Sequence, residues 1–186
     1  THPGVTSGTR MLGLPGILLF LLGTNASHNL QDFTLKEVEG KWYLSGTASG
    51  AGWIENPKWM EKASLVIMTP TTDGDLHMNS SLMITKGTKN IGCIRIYHFL
   101  KRTKTLGTFT FYSLYYQALT EVSVVDVQVD KYVIIKNKRT TKQNVTFNLE
   151  LYTRKPVVSL EVKRLFSQYS LKQRFTPAKT IFVSYQ

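Results

Sequence analysis

Leu35-Lys36-Glu37-Val38-Glu39-Gly40-Lys41-Trp42-Tyr43 is the stretch on which the reading of this chain turns. Leu35 to Glu39 is a short run of mixed polar and apolar residues that reads as one helical turn. Gly40-Lys41-Trp42 then opens a segment of small residues: Ser45, Gly46, Thr47, Ala48, Ser49, Gly50, Ala51 and Gly52. A bulky indole needs a buried floor and an acceptor for its N–H. A glycine two residues ahead permits close backbone approach or a positive φ. Small residues behind it suit a strand that bends around a closing barrel. Trp42 therefore reads as the plug at the closed end of a β-barrel, the alternative being an ordinary core tryptophan beside a turn glycine.

Beyond Trp42 the chain is a series of short β-like runs separated by turn residues. Ala63 to Met68 ends in Thr69-Pro70-Thr71-Thr72-Asp73-Gly74, a strong turn signal. From Leu76 to Ile84, Leu76, Met78, Leu82 and Ile84 alternate with His77, Asn79, Ser81 and Met83, the period of a half-buried strand. That period turns Ser80 inward and Asn79 outward. Lys86 to Asn90 reads as a turn, and Ile94, Ile96, His98 and Leu100 form one face of the next run. Thr108 to Tyr116 is aromatic. Val122–Val125, Tyr132–Ile135 and Asn144–Thr153 complete eight runs, the pattern of an all-β, antiparallel up-and-down barrel. The period then changes. Ser159 can cap a helix whose Val162, Leu165, Phe166 and Tyr169 make one apolar stripe, so this helix should pack on the outside of the barrel. A last short run spans Thr180 to Val183.

Composition agrees with one folded domain: 186 residues, 42% apolar and 11% aromatic. The net charge of +11 permits anionic partners. The denser basic runs, Lys101–Lys104 and Lys136–Arg139, read as solvated turns. The one cysteine, Cys93, excludes an intramolecular disulfide and a cysteine-rich metal site. His2, His28, His77 and His98 have no ligand-like spacing, and no metal or cofactor is expected.

Residues 1–26 read as upstream sequence followed by a secretory signal peptide. Leu12 to Leu22 is apolar but too short to span a bilayer. It follows Arg10, and Thr24-Asn25-Ala26 fits a cleavage site. Residues 27–186 would then form a single secreted, extracellular domain. In that setting Asn79-Ser80-Ser81 and Asn144-Val145-Thr146 are candidate glycosylation sites.

Signal peptide, Gly-x-Trp, eight strands, one late helix and a final strand together resemble a lipocalin. Leu151-Tyr152-Thr153-Arg154 resembles the family segment whose arginine stacks on the motif tryptophan, so the resemblance implies Arg154 over Trp42, beside Gly40. Within the family the chain looks most like the lipocalin-type prostaglandin D synthase group, through Gly40–Tyr43, Ala48-Ser49, Trp53, Pro70–Gly74, Val122–Val125 and Leu151–Arg154. The resemblance places Ser64 where that enzyme keeps its nucleophilic cysteine. Leu44 and Val66 stand where it carries hydroxyls, while Ser80 keeps one. Val127-Gln128-Val129 replaces the second family motif, Thr-Asp-Tyr. Cys93 matches a cysteine that usually bonds a C-terminal partner, and this sequence holds no second cysteine.

The expected function is therefore a secreted carrier of a small hydrophobic ligand, such as a fatty acid, prostanoid or retinoid. The basic excess favours an anionic one. Leu44, Gly46, Ser64 and Val66 are candidate lining residues, with Met68, Met78, Ser80 and Leu82. Ile96, His98, Phe109 and Phe111 complete that lining. A prostaglandin D synthase-like isomerase is the alternative, but a serine without a base is a poor nucleophile, so no catalytic residue is assigned. A basic nucleic-acid binder is the third reading, and the signal peptide argues against it. A monomer is expected, and a cell-surface receptor is left open.

Overall fold

The computed structural model describes residues 1, 33–50, 64–86, 89–114 and 116–185, with the backbone alone at 84–86 and 89–91. The first 26 residues, Trp53 and Ala63 lie outside the described residues, apart from Thr1. Eight strands run in sequence order: β1 (Gly40–Ser49), β2 (Ser64–Pro70), β3 (Leu76–Lys86), β4 (Lys89–Arg102), β5 (Thr108–Ser113), β6 (Ala118–Gln128), β7 (Tyr132–Thr140) and β8 (Val145–Thr153). Each pairs antiparallel with the next, and β1 closes the ring by pairing with both β8 and β2. Helix α1 (Leu160–Lys172) follows, and a short β9 (Thr180–Phe182) adds to β1. This is the expected closed eight-stranded barrel with one helix.

The closure is uneven. β3 and β4 share eleven residue pairs, but β1 and β2 share only four, Gly40–Tyr43 against Met68–Leu65. β4 and β5 share two, Lys101↔Thr110 and Arg102↔Phe109. Above Tyr43 the register of β1 shifts between Leu44 and Gly46. The same edge of β1 then pairs with β9, through Gly46↔Phe182 to Ala48↔Thr180. The small residues allow this. A Cβ on Gly46 would come within 3.2 Å of Phe182 and 3.3 Å of Phe166. Gly46 thus faces the helix and not the barrel interior, because the bulge at Ser45 reverses the alternation that Trp42 and Leu44 begin.

Two cores follow. Inside the barrel Val38, Trp42, Val66, Met68, Leu76, Leu100, Phe109, Val122, Val133 and Tyr152 cluster. Outside, Ala48, Ile134, Leu149 and Leu151 meet Val162 and Phe166 of α1. Ser159 caps the helix, its Oγ accepting from Val162 N at 3.3 Å. A second bulge, between Val124 and Asp126, turns Asp126 outward, where the hydroxyls of Tyr132 and Tyr169 both donate to its Oδ2 at 3.0 Å. Asp126 thereby ties α1 to the barrel wall.

The basic runs depart from expectation. Lys136–Arg139 lies within β7, and Lys101 and Arg102 end β4; only Thr103 and Lys104 lie in a turn. Long charged side chains with apolar stems tolerate a strand whose neighbours satisfy the backbone. The same pattern in sequence looks like a solvated loop. The expected turn at Lys86–Asn90 is shorter as well, since β3 extends to Lys86 and β4 begins at Lys89.

Candidate binding site

Directly paired residues of an antiparallel sheet share a face, so the registers and the inner core define the barrel's lining. Its floor is Trp42, fully buried, with Nε1 donating to Val38 O at 2.8 Å. The Arg154 guanidinium lies 3.5 Å from the centroid of the indole ring. It also donates to Val129 O at 2.8 Å and Lys41 O at 3.1 Å. Burial lowers the Arg154 pKa, with Asp130 opposing. Gly40 has φ +99, and a Cβ there would approach Arg154 to 3.2 Å. Gly40, Trp42 and Arg154 therefore come together as the motif implies.

One wall is apolar. Three rows cross β2, β3 and β4: Ser64–Leu82–Ile94, Val66–Ser80–Ile96 and Met68–Met78–His98. Val66 and Met68 belong to the inner core, so all three rows face inward. Phe109 is buried, and Leu44, Met78 and Phe111 pack half-buried against the same core. Ser80 and Leu82 are half-buried, and Ile96 is 39% exposed. Its exposure follows from the two-pair contact between β4 and β5, which leaves the upper part of β4 without a partner on its β5 side. There His98 stacks on Phe111 with ring centroids 4.4 Å apart. Burial pushes the His98 pKa below its ordinary 6.5.

Ser64 is 2% exposed and lies in the uppermost of these rows. His98 lies in the row of Met68, four residues along β2, or about 13 Å at strand rise. A histidine at that separation cannot take a proton from the Ser64 hydroxyl. His77 is on the outer face, paired with Thr69 and Phe99 and hydrogen-bonded to the Tyr97 hydroxyl.

The opposite wall is polar, which the sequence reading missed. Thr47, Glu150 and Ile135 form one inward row across β1, β8 and β7; Ser49, Asn148 and Asn137 form the next. Asn148 Nδ2 donates to Glu150 Oε1 at 3.1 Å, and the Tyr152 hydroxyl to Glu150 Oε2 at 2.8 Å. Burial, then Glu150, holds the Tyr152 phenol well above its ordinary pKa. The signal was present in β8, where Val145, Phe147, Leu149 and Leu151 alternate with Thr146, Asn148 and Glu150. Leu149 and Leu151 face α1, so the polar set faces in.

A cavity of about 250 Å3 lies at the closed end, lined by Phe33, Leu35, Gly74 and residues 102–109. It is at the opposite end of the strands from Ser64. Asn79 is exposed on the outer face between Ile67 and Tyr97, and Asn144 is exposed in the β7–β8 turn. Cys93 is a free, exposed thiol. Among the described residues no group of three or more His, Cys, Asp or Glu is placed to hold a metal, and no helix is long and apolar enough to cross a membrane.

Comparison with known proteins agrees with this architecture. Residues 39–186 match the model of the lipocalin / cytosolic fatty-acid binding protein family. The chain is 26% identical over 181 residues to prostaglandin-H2 D-isomerase of Mus musculus, covering 94% of this chain and 93% of that protein. It is 27% identical over 145 residues to a lipocalin of Rhinella marina, covering 78% of this chain and 76% of that one. A solved structure of the siderocalin Ex-FABP superposes with a TM-score of 0.65 at 21% identity, covering 81% of this chain and 91% of that chain.

Proposed function

This chain belongs to the lipocalin / cytosolic fatty-acid binding protein family, and we propose that it is a secreted, monomeric carrier that holds a small hydrophobic ligand in its barrel. The observation that carries this reading is the inward apolar wall of Val66, Met68, Met78, Leu82, Phe109 and Phe111 above a floor sealed by Trp42 and Arg154. A concave apolar surface with a few polar groups is what small-molecule sites require. Leu44, Ser64, Ser80, Ile96 and His98 complete the lining. The ligand class is a lipid acid of fatty-acid, prostanoid or retinoid size. Its carboxylate sits toward the rim, where Arg139 stacks 3.9 Å from the Tyr116 ring centroid.

The reading is non-catalytic. The relatives named prostaglandin-H2 D-isomerase raise the enzyme alternative. Ser64, assigned to the position of the enzyme's cysteine, argues against it. A hydroxyl needs a base to become a nucleophile, and His98 stands about 13 Å away along the sheet. Asn79 and Asn144 are proposed to carry glycans in the secreted protein; their exposure supports that.

The deciding experiment has two arms. Titration with lipophilic acids should quench tryptophan fluorescence saturably, and mass spectrometry of protein from its native secretion should find a copurifying lipid. Incubation with prostaglandin H should give no prostaglandin D above the uncatalysed rate. Saturable turnover would overturn the carrier reading, and absence of binding by any lipid acid would overturn the ligand reading.

A further inference from the structure

The barrel's inner surface is two-sided, and its polar side holds two buried polar atoms without hydrogen-bond partners. Thr47 and Asn148 are both fully buried. Thr47 Oγ1 and Asn148 Oδ1 have no hydrogen-bond partner. They stand diagonally across β1 and β8, since Thr47 pairs with Glu150 and Asn148 with Ser49. Glu150 lies between them with one donor on each carboxylate oxygen, Asn148 Nδ2 and the Tyr152 hydroxyl. A carboxylate oxygen accepts more than one hydrogen bond, so acceptor capacity remains there as well. Leaving a buried polar atom without a partner costs free energy. Two such atoms beside an inward carboxylate are a built recognition surface or an expensive accident of packing.

We infer that Thr47, Asn148 and Glu150 form a polar subsite that accepts hydrogen bonds from a hydroxyl group carried on the buried part of the ligand. The inference rests on the barrel interior being the ligand site. Asn148 Oδ1 can only accept, Glu150 accepts when ionised, and Thr47 Oγ1 both accepts and donates. Asn148 and Glu150 therefore need a donor from the ligand, and a hydroxyl supplies one while still accepting from Thr47. A second carboxylate is the wrong group, because Glu150 repels it. An unsubstituted alkyl chain leaves both orphaned atoms without partners, so the subsite discriminates against plain fatty acids. Across the barrel Val66, Met68 and Phe109 offer only apolar contact. The ligand that fits has an acid at the rim, one apolar flank and a hydroxyl on the flank facing β1 and β8.

Displacement of a bound fluorescent fatty-acid probe tests this. The competitors are hexadecanoic acid and a series of monohydroxyhexadecanoic acids with the hydroxyl stepped along the chain. At least one hydroxylated acid should bind about tenfold more tightly than the unsubstituted acid, the worth of one well-made buried hydrogen bond. Thr47→Val keeps the side-chain shape and should cut that ratio to about twofold or less, with hexadecanoic acid bound at least as tightly as by the wild type. Asn148→Leu should do the same, and thermal melts of both variants establish that they fold. A wild-type protein that binds hexadecanoic acid as tightly as every hydroxylated analogue overturns the subsite while leaving the carrier reading intact. So does a preference that survives both substitutions. Failure of every acid to displace the probe overturns the subsite and the carrier reading together.

Discussion

His98 and Phe111 stack with ring centroids 4.4 Å apart, side chain against side chain, where β4 and β5 have already parted as paired strands. Burial lowers the His98 pKa below 6.5, so the neutral imidazole is the form that stacks at pH 7. The unfolded chain takes up its proton first on acidification. The contribution of His98 is therefore full above pH 6.5 and is lost as the pH falls through the lower folded value. Melting temperatures between pH 7 and 5 should fall more steeply for the wild type than for His98→Gln. Equal slopes would remove His98 from the acid response.

At the base, Trp42→Ala should cost about 3–5 kcal/mol, the range for large aromatic truncations in a core. Arg154→Met retains the aliphatic stem and loses the stacking and the bonds to Val129 and Lys41. A double-mutant cycle in urea between Trp42→Phe and Arg154→Met should return a coupling of about 0.5–2 kcal/mol for the cation over the ring. A Trp42→Ala cost below about 1 kcal/mol would mean that the floor is peripheral to stability.

Asp126 predicts an alkaline response. Burial, then the Asp126 charge, pushes the Tyr169 pKa from 10.0 up to about 12. The neutral phenol is the form that donates to Asp126, so its contribution is complete below pH 10 and is lost as the pH rises through about 12. Tyr169→Phe should flatten the loss of stability above pH 10 and cost about 1.5–3 kcal/mol at pH 7, the range for a hydrogen bond to a charged group. A cost near zero at pH 7 would show that the bond to Asp126 does not hold α1 in place.

Ser64→Cys tests whether the barrel lacks only a nucleophile. The variant should bind lipid acids with the wild-type affinity, and its thiol should be protected from alkylation because Ser64 is 2% exposed. Gain of prostaglandin H isomerisation in this variant, with none in the wild type, would mark the pocket as competent and the serine as the missing element. Turnover in both would refute the non-catalytic reading.

The sequence made the barrel legible where alternation and burial agree. Leu76, Met78, Ser80 and Leu82 were placed inward by period two, and the registers put them there. Ser159 and the Val162–Phe166 stripe were legible because capping and helical spacing are local. The misplacements arise where distant contacts, not the local pattern, decide which way a residue faces. On β8 the apolar residues face the helix, which hid Asn148 and Glu150, and on β1 the bulge between Leu44 and Gly46 turned Gly46 outward. Which face of a strand a distant helix will cover is a tertiary fact that no short window contains. The run Lys136–Arg139 shows the same limit, since ladder partners kept it in β7.

The short seams have a consequence for how the barrel opens. β2, β3 and β4 are joined to one another by seven and eleven residue pairs. They meet the rest of the ring through four pairs at β1 and two at β5. The Tyr185 hydroxyl reinforces the first seam, lying 2.8 Å from both Leu44 O and Ser64 O, although its single proton serves one acceptor at a time. Such a panel is a cooperative unit of its own, whose free energy of opening lies below that of the whole molecule. Amide hydrogen exchange should therefore find β2, β3 and β4 giving up their protons together and ahead of β6, β7 and β8. The fold then has two stabilities, one for the panel and one for the remainder.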